Sequence, residues 1–198
     1  MIPRHLVIGT AAMLAIALGM SVYLWRMRGR VPRVEPAAYS GPIAPPVSGP
    51  TEQVTLYVAD DESGILRAQA ARIPLPAGRQ ERAQELLRAL LGLYLDKLSP
   101  HPLAASAEVR DVYLVDPGLA VIDMNAAFAD DHRSGILVEE LTVASLVQTL
   151  SANIPGITRV KILVDGKQRE TLAGHADLSG FFDVSAVNQM VAQMQNAQ

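Results

Sequence analysis

The sequence predicts an α+β domain, with two helices packed on a mainly antiparallel sheet in the order ββαββαββ, preceded by one transmembrane helix and a Pro-rich linker. Three observations predict it. Leu6 to Trp25 is an uncharged apolar run of twenty residues, six prolines fall between Val31 and Pro50, and from Thr51 onward short alternating runs are interleaved with two longer runs of helical period. A chain of 198 residues allows one ordinary domain with appendages.

Twenty residues of helix at 1.5 Å rise cover the ~30 Å hydrocarbon core, so Leu6–Trp25 reads as a membrane-spanning helix. Tyr23 and Trp25 suit the lipid–water boundary, and Arg26, Arg28 and Arg30 follow at once. An anchor is preferred over a cleavable signal peptide, whose apolar region would be shorter and would end in a small-residue cleavage site. The division expected is an anchor with its basic flank at 1–30, a linker at 31–50, a folded domain at 51–183 and a tail of helical pattern at 184–198. The linker holds too little apolar surface for a core and reads as an extended spacer.

Charge divides along the same line. Residues 1–50 carry five arginines and one glutamate, a net +4, which leaves 12 basic and 19 acidic residues, a net −7, for residues 51–198. An acidic domain argues against a nucleic-acid partner. The absence of cysteine removes disulfides, thiolate chemistry and Cys-based metal sites.

Within the domain, Gln53–Ala59 alternates Val54, Leu56 and Val58 on one face and reads as a strand. The turn Asp60–Gly64 returns the chain as a weaker strand, Leu66–Leu75. Ala83, Leu86, Leu87, Leu90, Leu91 and Tyr94 form an apolar stripe that predicts a helix over about Arg79–Leu95. Val109–Val115 and Leu119–Asn125 are strands joined at Asp116-Pro117-Gly118, a turn in which proline presets φ and glycine accepts φ > 0. A polar loop, Asp130–Gly135, leads to a second helix over about Leu137–Asn153, stopped by Pro155-Gly156. Thr158–Val164 is then a strand, and Asp165-Gly166 predicts a tight hairpin into a further strand, Lys167–Leu172. Val187, Met190, Val191 and Met194 share one side of a last segment, Ser185–Asn196.

With these elements in order, the sequence resembles the GerMN domain, which is named for a spore-germination and sporulation protein and occurs in many bacterial envelope proteins. Val121-Ile122-Asp123-Met124-Asn125 followed by Phe128 looks like the family's "V-D-L-S…F", with Asn125 in place of the usual Ser. Pro155-Gly156-Ile157 and Val160 look like "F-P-G-V-x-x-V". Val164-Asp165-Gly166-Lys167 and Leu172-Ala173-Gly174-His175-Ala176-Asp177-Leu178-Ser179 match "V-D-G-K…L-x-G-H-x-D-L-S". The pattern departs after Gly92, where His101-Pro102-Leu103-Ala104-Ala105 stands in place of an Ile-Pro-x-Gly-Thr element.

The resemblance implies a compact module displayed outside the cytoplasmic membrane by a lipidated cysteine or an N-terminal helix. With no cysteine, the helix is the expected route. It implies no catalytic residues, so Asp123, Phe128, Pro155, Gly156, Asp165, Gly166, Lys167, Gly174, His175, Asp177, Leu178 and Ser179 are read as structural.

Catalytic, cofactor and metal sites are expected to be absent. No phosphate-binding, dinucleotide-binding or zinc-protease motif occurs, and the histidines at 5, 101, 132 and 175 lack metal-ligand spacing. Asp130, Asp131 and His132 read as a solvated loop before a helix N-terminus. His175 and Asp177 are the only candidates for an acid–base pair, and local backbone hydrogen bonding is the preferred explanation of both.

The function expected is that of a single-pass envelope protein whose domain, on the extracytoplasmic side, contacts a protein partner or a second copy of itself. The arginine count alone slightly favours a cytoplasmic domain, and the resemblance outweighs it. The alternatives are a module that binds cell-wall glycan or another small polar ligand, and an enzyme using His175 and Asp177. A concave pocket with convergent polar groups would favour ligand binding, and an exposed apolar sheet face or strand edge would favour assembly.

Overall fold

The computed structural model describes Met13, Leu18 and residues 50–96, 98–115 and 117–196. The chain separates into two compact units, 1–44 and 45–198. Of the first, Met13 and Leu18 are described, and both are helical and exposed. The expected span Leu6–Trp25 otherwise lies outside the described residues. Among those described, no helix is long and apolar enough to cross a membrane.

The second unit runs β1 (Thr51–Asp60), β2 (Ile65–Pro74), α1 (Arg79–Tyr94), β3 (Val109–Val115), β4 (Leu119–Met124), α2 (Ala126–Asp130), α3 (Ile136–Asn153), β5 (Arg159–Val164), β6 (Phe182–Asp183) and α4 (Val184–Asn196). The α+β class is as expected, but the strands form two sheets. β1 and β2 pair antiparallel by themselves, and the other four lie in the order β3-β4-β5-β6. In that larger sheet β4 and β5 run parallel, because the connection between them crosses over through α2 and α3, while the remaining pairs are antiparallel.

Two local readings are corrected. Lys167–Leu172 is not a strand: pairing across Asp165-Gly166 ends at one bridge, Val164 to Lys167, and Thr171 bridges Asp177 instead. The next residues are drawn off to α3, and β5 takes its neighbour from Phe182–Asp183. The five-residue α2 also falls where no helix was predicted. Asn125 caps it by accepting from the Phe128 N–H at 3.1 Å, and five residues are too few to show a period.

α3 is the centre of the domain. Every residue from Leu141 to Leu150 is buried, so the helix is enclosed nearly all round rather than along one stripe. It also substitutes for a missing strand beside β1. The outward N–H groups of Thr55 and Tyr57 donate to Asn153 Oδ1 (3.1 Å) and Thr149 Oγ1 (3.0 Å), and that of Ala59 donates to the α1 residue Tyr94 at its hydroxyl (2.8 Å). An edge whose backbone groups are met this way cannot pair with another chain.

Ala120, Ile122, Val160 and Ile162 line the core face of the larger sheet and are wholly buried. At the β3–β4 turn Gly118 has φ 74°, and a Cβ there would meet Thr158 Oγ1 at 2.6 Å and the Gly156 carbonyl at 2.8 Å, so only glycine fits. α4 docks by Val187 and Val191.

Candidate functional site

Two polar clusters are buried at the N-terminal half of α3. Glu139, in its first turn, has no exposed surface. Its Oε2 accepts from the N–H groups of Ala173 (3.0 Å), His175 (2.9 Å) and Ala176 (2.8 Å), and its Oε1 accepts from Gly135 N–H (3.2 Å) and His175 Nδ1 (2.9 Å). Burial raises the carboxyl, but the His175 ring and the amides of Ala176, Ala173 and His175 outweigh it and hold Glu139 at about 2. A carboxylate so provided stays ionised and fastens the 173–176 loop to the helix. This is what draws the chain away from the predicted strand.

The His175 partner is therefore Glu139, not Asp177. Asp177 accepts from the Ser179 N–H (2.7 Å), and that contact, through side chain and backbone, lowers its carboxyl. Leu178 is buried. Gly174 has φ 118°, a conformation that glycine adopts without strain. Glu139 was legible in one respect, because it stands four residues before Val143 on the apolar stripe of its helix, where a charge needs buried partners.

The second cluster joins four segments. His101 Nδ1 meets Asp61 Oδ1 at 2.5 Å, its Nε2 meets Thr142 Oγ1 at 2.7 Å, and His132 Nε2 meets the same oxygen at 2.8 Å. His132 Nδ1 donates to the Arg133 carbonyl (2.7 Å), and Arg133 pairs with Asp61 (2.8 Å). Tyr94 continues the polar core, its hydroxyl 2.5 Å from Ser145 Oγ, and burial pushes that hydroxyl up to about 12. His132 is thus not solvated as expected but buried, and burial lowers its ring below the ordinary histidine range. Asp130 pairs with Arg169, and Asp131 is exposed.

Asp61, His101 and Thr142 have the connectivity of a nucleophile triad, yet Thr142 is 1% exposed and His101 not at all, so no substrate carbon reaches the hydroxyl. The arrangement is a latch. Among the described residues, no three His, Asp or Glu side chains come together to hold a metal ion.

The remaining motif residues meet at the end of β4 and β5. Asp165 has φ 51° and Gly166 φ 70°, the twofold positive φ that the turn requires. Gly166 N–H donates to Asp123 Oδ1 (2.7 Å), Arg110 pairs with Asp165 (3.0 Å), and Lys167 N–H closes on Val164 O. Phe128 is buried, and the Pro155 carbonyl accepts from Arg79 beside Gly156, whose φ is 86°.

Opposite the core, the larger sheet keeps an uncovered face. Tyr113, Val121 and Lys161 align across β3, β4 and β5, as do Val115, Leu119 and Arg159. Tyr113, Val115 and Phe181 are 45%, 48% and 55% exposed. The Phe181 ring lies over Arg159 and Lys161, 5.4 and 5.8 Å from centroid to cation. Lys161 is buried beneath it and donates to the carbonyls of Leu178 (2.7 Å), Ser179 (2.7 Å) and Gly180 (3.0 Å). The outer edge of β3 is blocked at its start, where Gln84 donates to the Arg110 carbonyl and Asp111 takes the Val112 N–H.

Fold and site define an α+β domain held together by buried polar latches and carrying an open apolar sheet face. The family model Germane, described as sporulation and spore germination, matches residues 55–170, and the chain belongs to that family. Among solved structures it is similar to the tandem GerMN domains of the sporulation protein GerM from Bacillus subtilis, with TM-score 0.51 and 20% identity over 68% of this chain and 46% of that one. The first GerMN domain of the same protein gives 0.43 and 20% over 65% and 93%, and a Clostridium perfringens protein described as a lipoprotein gives 0.44 and 22% over 71% and 92%. At such identity the likeness to the tandem domains is one of fold. Among curated proteins, no sequence matches this chain.

Proposed function

We propose that this chain is a single-pass envelope protein whose GerMN-like domain stands outside the cytoplasmic membrane on a Pro-rich linker and makes protein–protein contacts. The observation that carries the reading is the open sheet face, where Tyr113, Val115 and Phe181 stay exposed beside half-buried Leu119 and Val121. Neighbouring apolar side chains left in water mark a surface for another protein. Membership of a sporulation and germination family and the apolar run Leu6–Trp25 support the envelope setting.

The test is a photoreactive residue at Val115 in the full chain, irradiated in native membranes, with the exposed Glu62 as control position. A discrete adduct at Val115 and none at Glu62 is the expected result, and its mass separates self-association from a different partner. Equal labelling at both positions, or none at either, overturns the contact. A C-terminal reporter active only in the cytoplasm overturns the orientation.

A further inference from the structure

A cleft of about 420 Å³, within the rough 300–1,000 Å³ range of small-molecule sites, opens between β1, the end of α3, the loop after it and the start of α4. Its lining is Tyr57, Gln148, Ser151, Ala152, Ile157, Val184 and Asn188, with no charged side chain among them. Gln148 is only 9% exposed. Its Nε2 donates to Asn188 Oδ1 at 3.0 Å, while its Oε1 is the one buried side-chain polar atom among the described residues with no hydrogen-bond partner. A buried amide oxygen without a donor is uncommon, because its hydration is lost and nothing replaces it.

We propose that this cleft binds a neutral, hydroxyl-rich molecule of the size and chemistry of a sugar ring. A hydroxyl is the group that suits Gln148 whichever way its amide is turned, since it donates to an orphaned oxygen and accepts from an orphaned nitrogen. The exposed Asn188 side chain is the other half of the Gln148 contact, and its movement gives a ligand hydroxyl access to the buried amide. Tyr57 supplies a ring for the apolar face of a sugar, and its own hydroxyl has no partner among the described residues. The absence of charge on the lining disfavours carboxylates, phosphates and amines, which would lose hydration there without an ion to pair with.

The experiment is saturation-transfer NMR on the full chain in phosphocholine micelles, which carry no glycoside, with N-acetylglucosamine as probe and acetate and lysine as charged controls. Two variants accompany it. Gln148→Leu removes the amide, and Ala152→Trp fills the mouth from an exposed helix position. The wild-type chain is expected to transfer saturation to the sugar and not to the controls. Both variants should lose at least tenfold of that signal with unchanged far-UV circular dichroism, and Gln148→Leu should raise Tm. No transfer with the wild type overturns the proposal and leaves Gln148 Oε1 to a bound water. Equal transfer by wild type and variants overturns it too, because the sugar would then bind elsewhere.

Discussion

The buried end of α3 and the open face of the four-stranded sheet use side chains in opposite ways. Around α3, charged and polar groups are taken out of water and met on several sides, Glu139 by five donors and Thr142 by two imidazoles. On the sheet, apolar groups that could have been covered are left in water. Burying a carboxylate is unfavourable unless its partners are complete, so the first region tolerates little change and sets one geometry. The second gains nothing for the fold by its exposure. Substitution in the first should therefore register as stability, and in the second as contact.

The largest effect is expected at Glu139. Glu139→Gln supplies one acceptor oxygen where two are used and turns an N–H₂ toward amide donors, which leaves two or more buried N–H groups unmet at about 1–3 kcal/mol each, measured by urea unfolding. Its pH dependence is specific. Between about 2 in the fold and 4.5 in the unfolded chain, the unfolded state binds more protons, so stability rises with pH across that window and is lost as pH falls through it. The difference amounts to about 3 kcal/mol. Unfolding curves from pH 2 to 5 that stay flat would show that the carboxylate is not held as the geometry requires.

Lys161 lies where the two regions meet, its ammonium under the Phe181 ring and on three carbonyls of the 178–180 segment. Lys161→Met keeps the stem and strands those acceptors, which should cost about 1–3 kcal/mol. Hydrogen exchange should quicken locally at 180–182. Unaltered exchange there would break the link between the latch and the face.

A smaller effect is expected from His132, whose ring is held below its ordinary 6.5 chiefly by burial. The unfolded state takes up the proton first as pH falls, so stability present above 6.5 declines below it. The window lies above that of Glu139, and chemical denaturation at pH 5.5, 6.5 and 7.5 separates them. His132→Gln should flatten the profile. A slope of opposite sign would mean that the latch holds an imidazolium at this position.

What the sequence could reveal divides along the same comparison. The stripe on α1, the β3–β4 hairpin and the positive φ at Asp165 and Gly166 were legible, because each is decided within a few residues. Asn125, which departs from the Ser that the resemblance expects, caps α2 all the same, since either side chain can accept from an N–H two or three positions on. Lys167–Leu172 was misread because Glu139, some thirty residues earlier, takes the amides just beyond it, and a local hairpin signal carries no information about a distant acceptor. His101 and His132 gave no signal for the same reason. Their spacing in sequence is unlike any ligand set, and only α3 brings both to one hydroxyl. The strands behind the open face were read from alternation, but with both faces of β3 and β4 partly apolar, nothing local told which face stays uncovered.

The smallest effect on stability, and the most informative for function, is expected at Tyr113. Tyr113→Ser removes an exposed ring from the open face, and exposed substitutions usually change stability by no more than about 0.5 kcal/mol. Its hydroxyl lies beside Asp111, whose carboxylate holds the phenol in its neutral form by pushing its pKa up and is itself partly exposed, so little stability rests on that contact. The photoadduct formed from Val115, its neighbour on the same face, should nonetheless fall severalfold. Suppose instead that Tyr113→Ser cost more than about 1 kcal/mol and left the adduct intact. The face would then owe its apolar residues to the fold, and the contrast with α3 would no longer separate stability from contact.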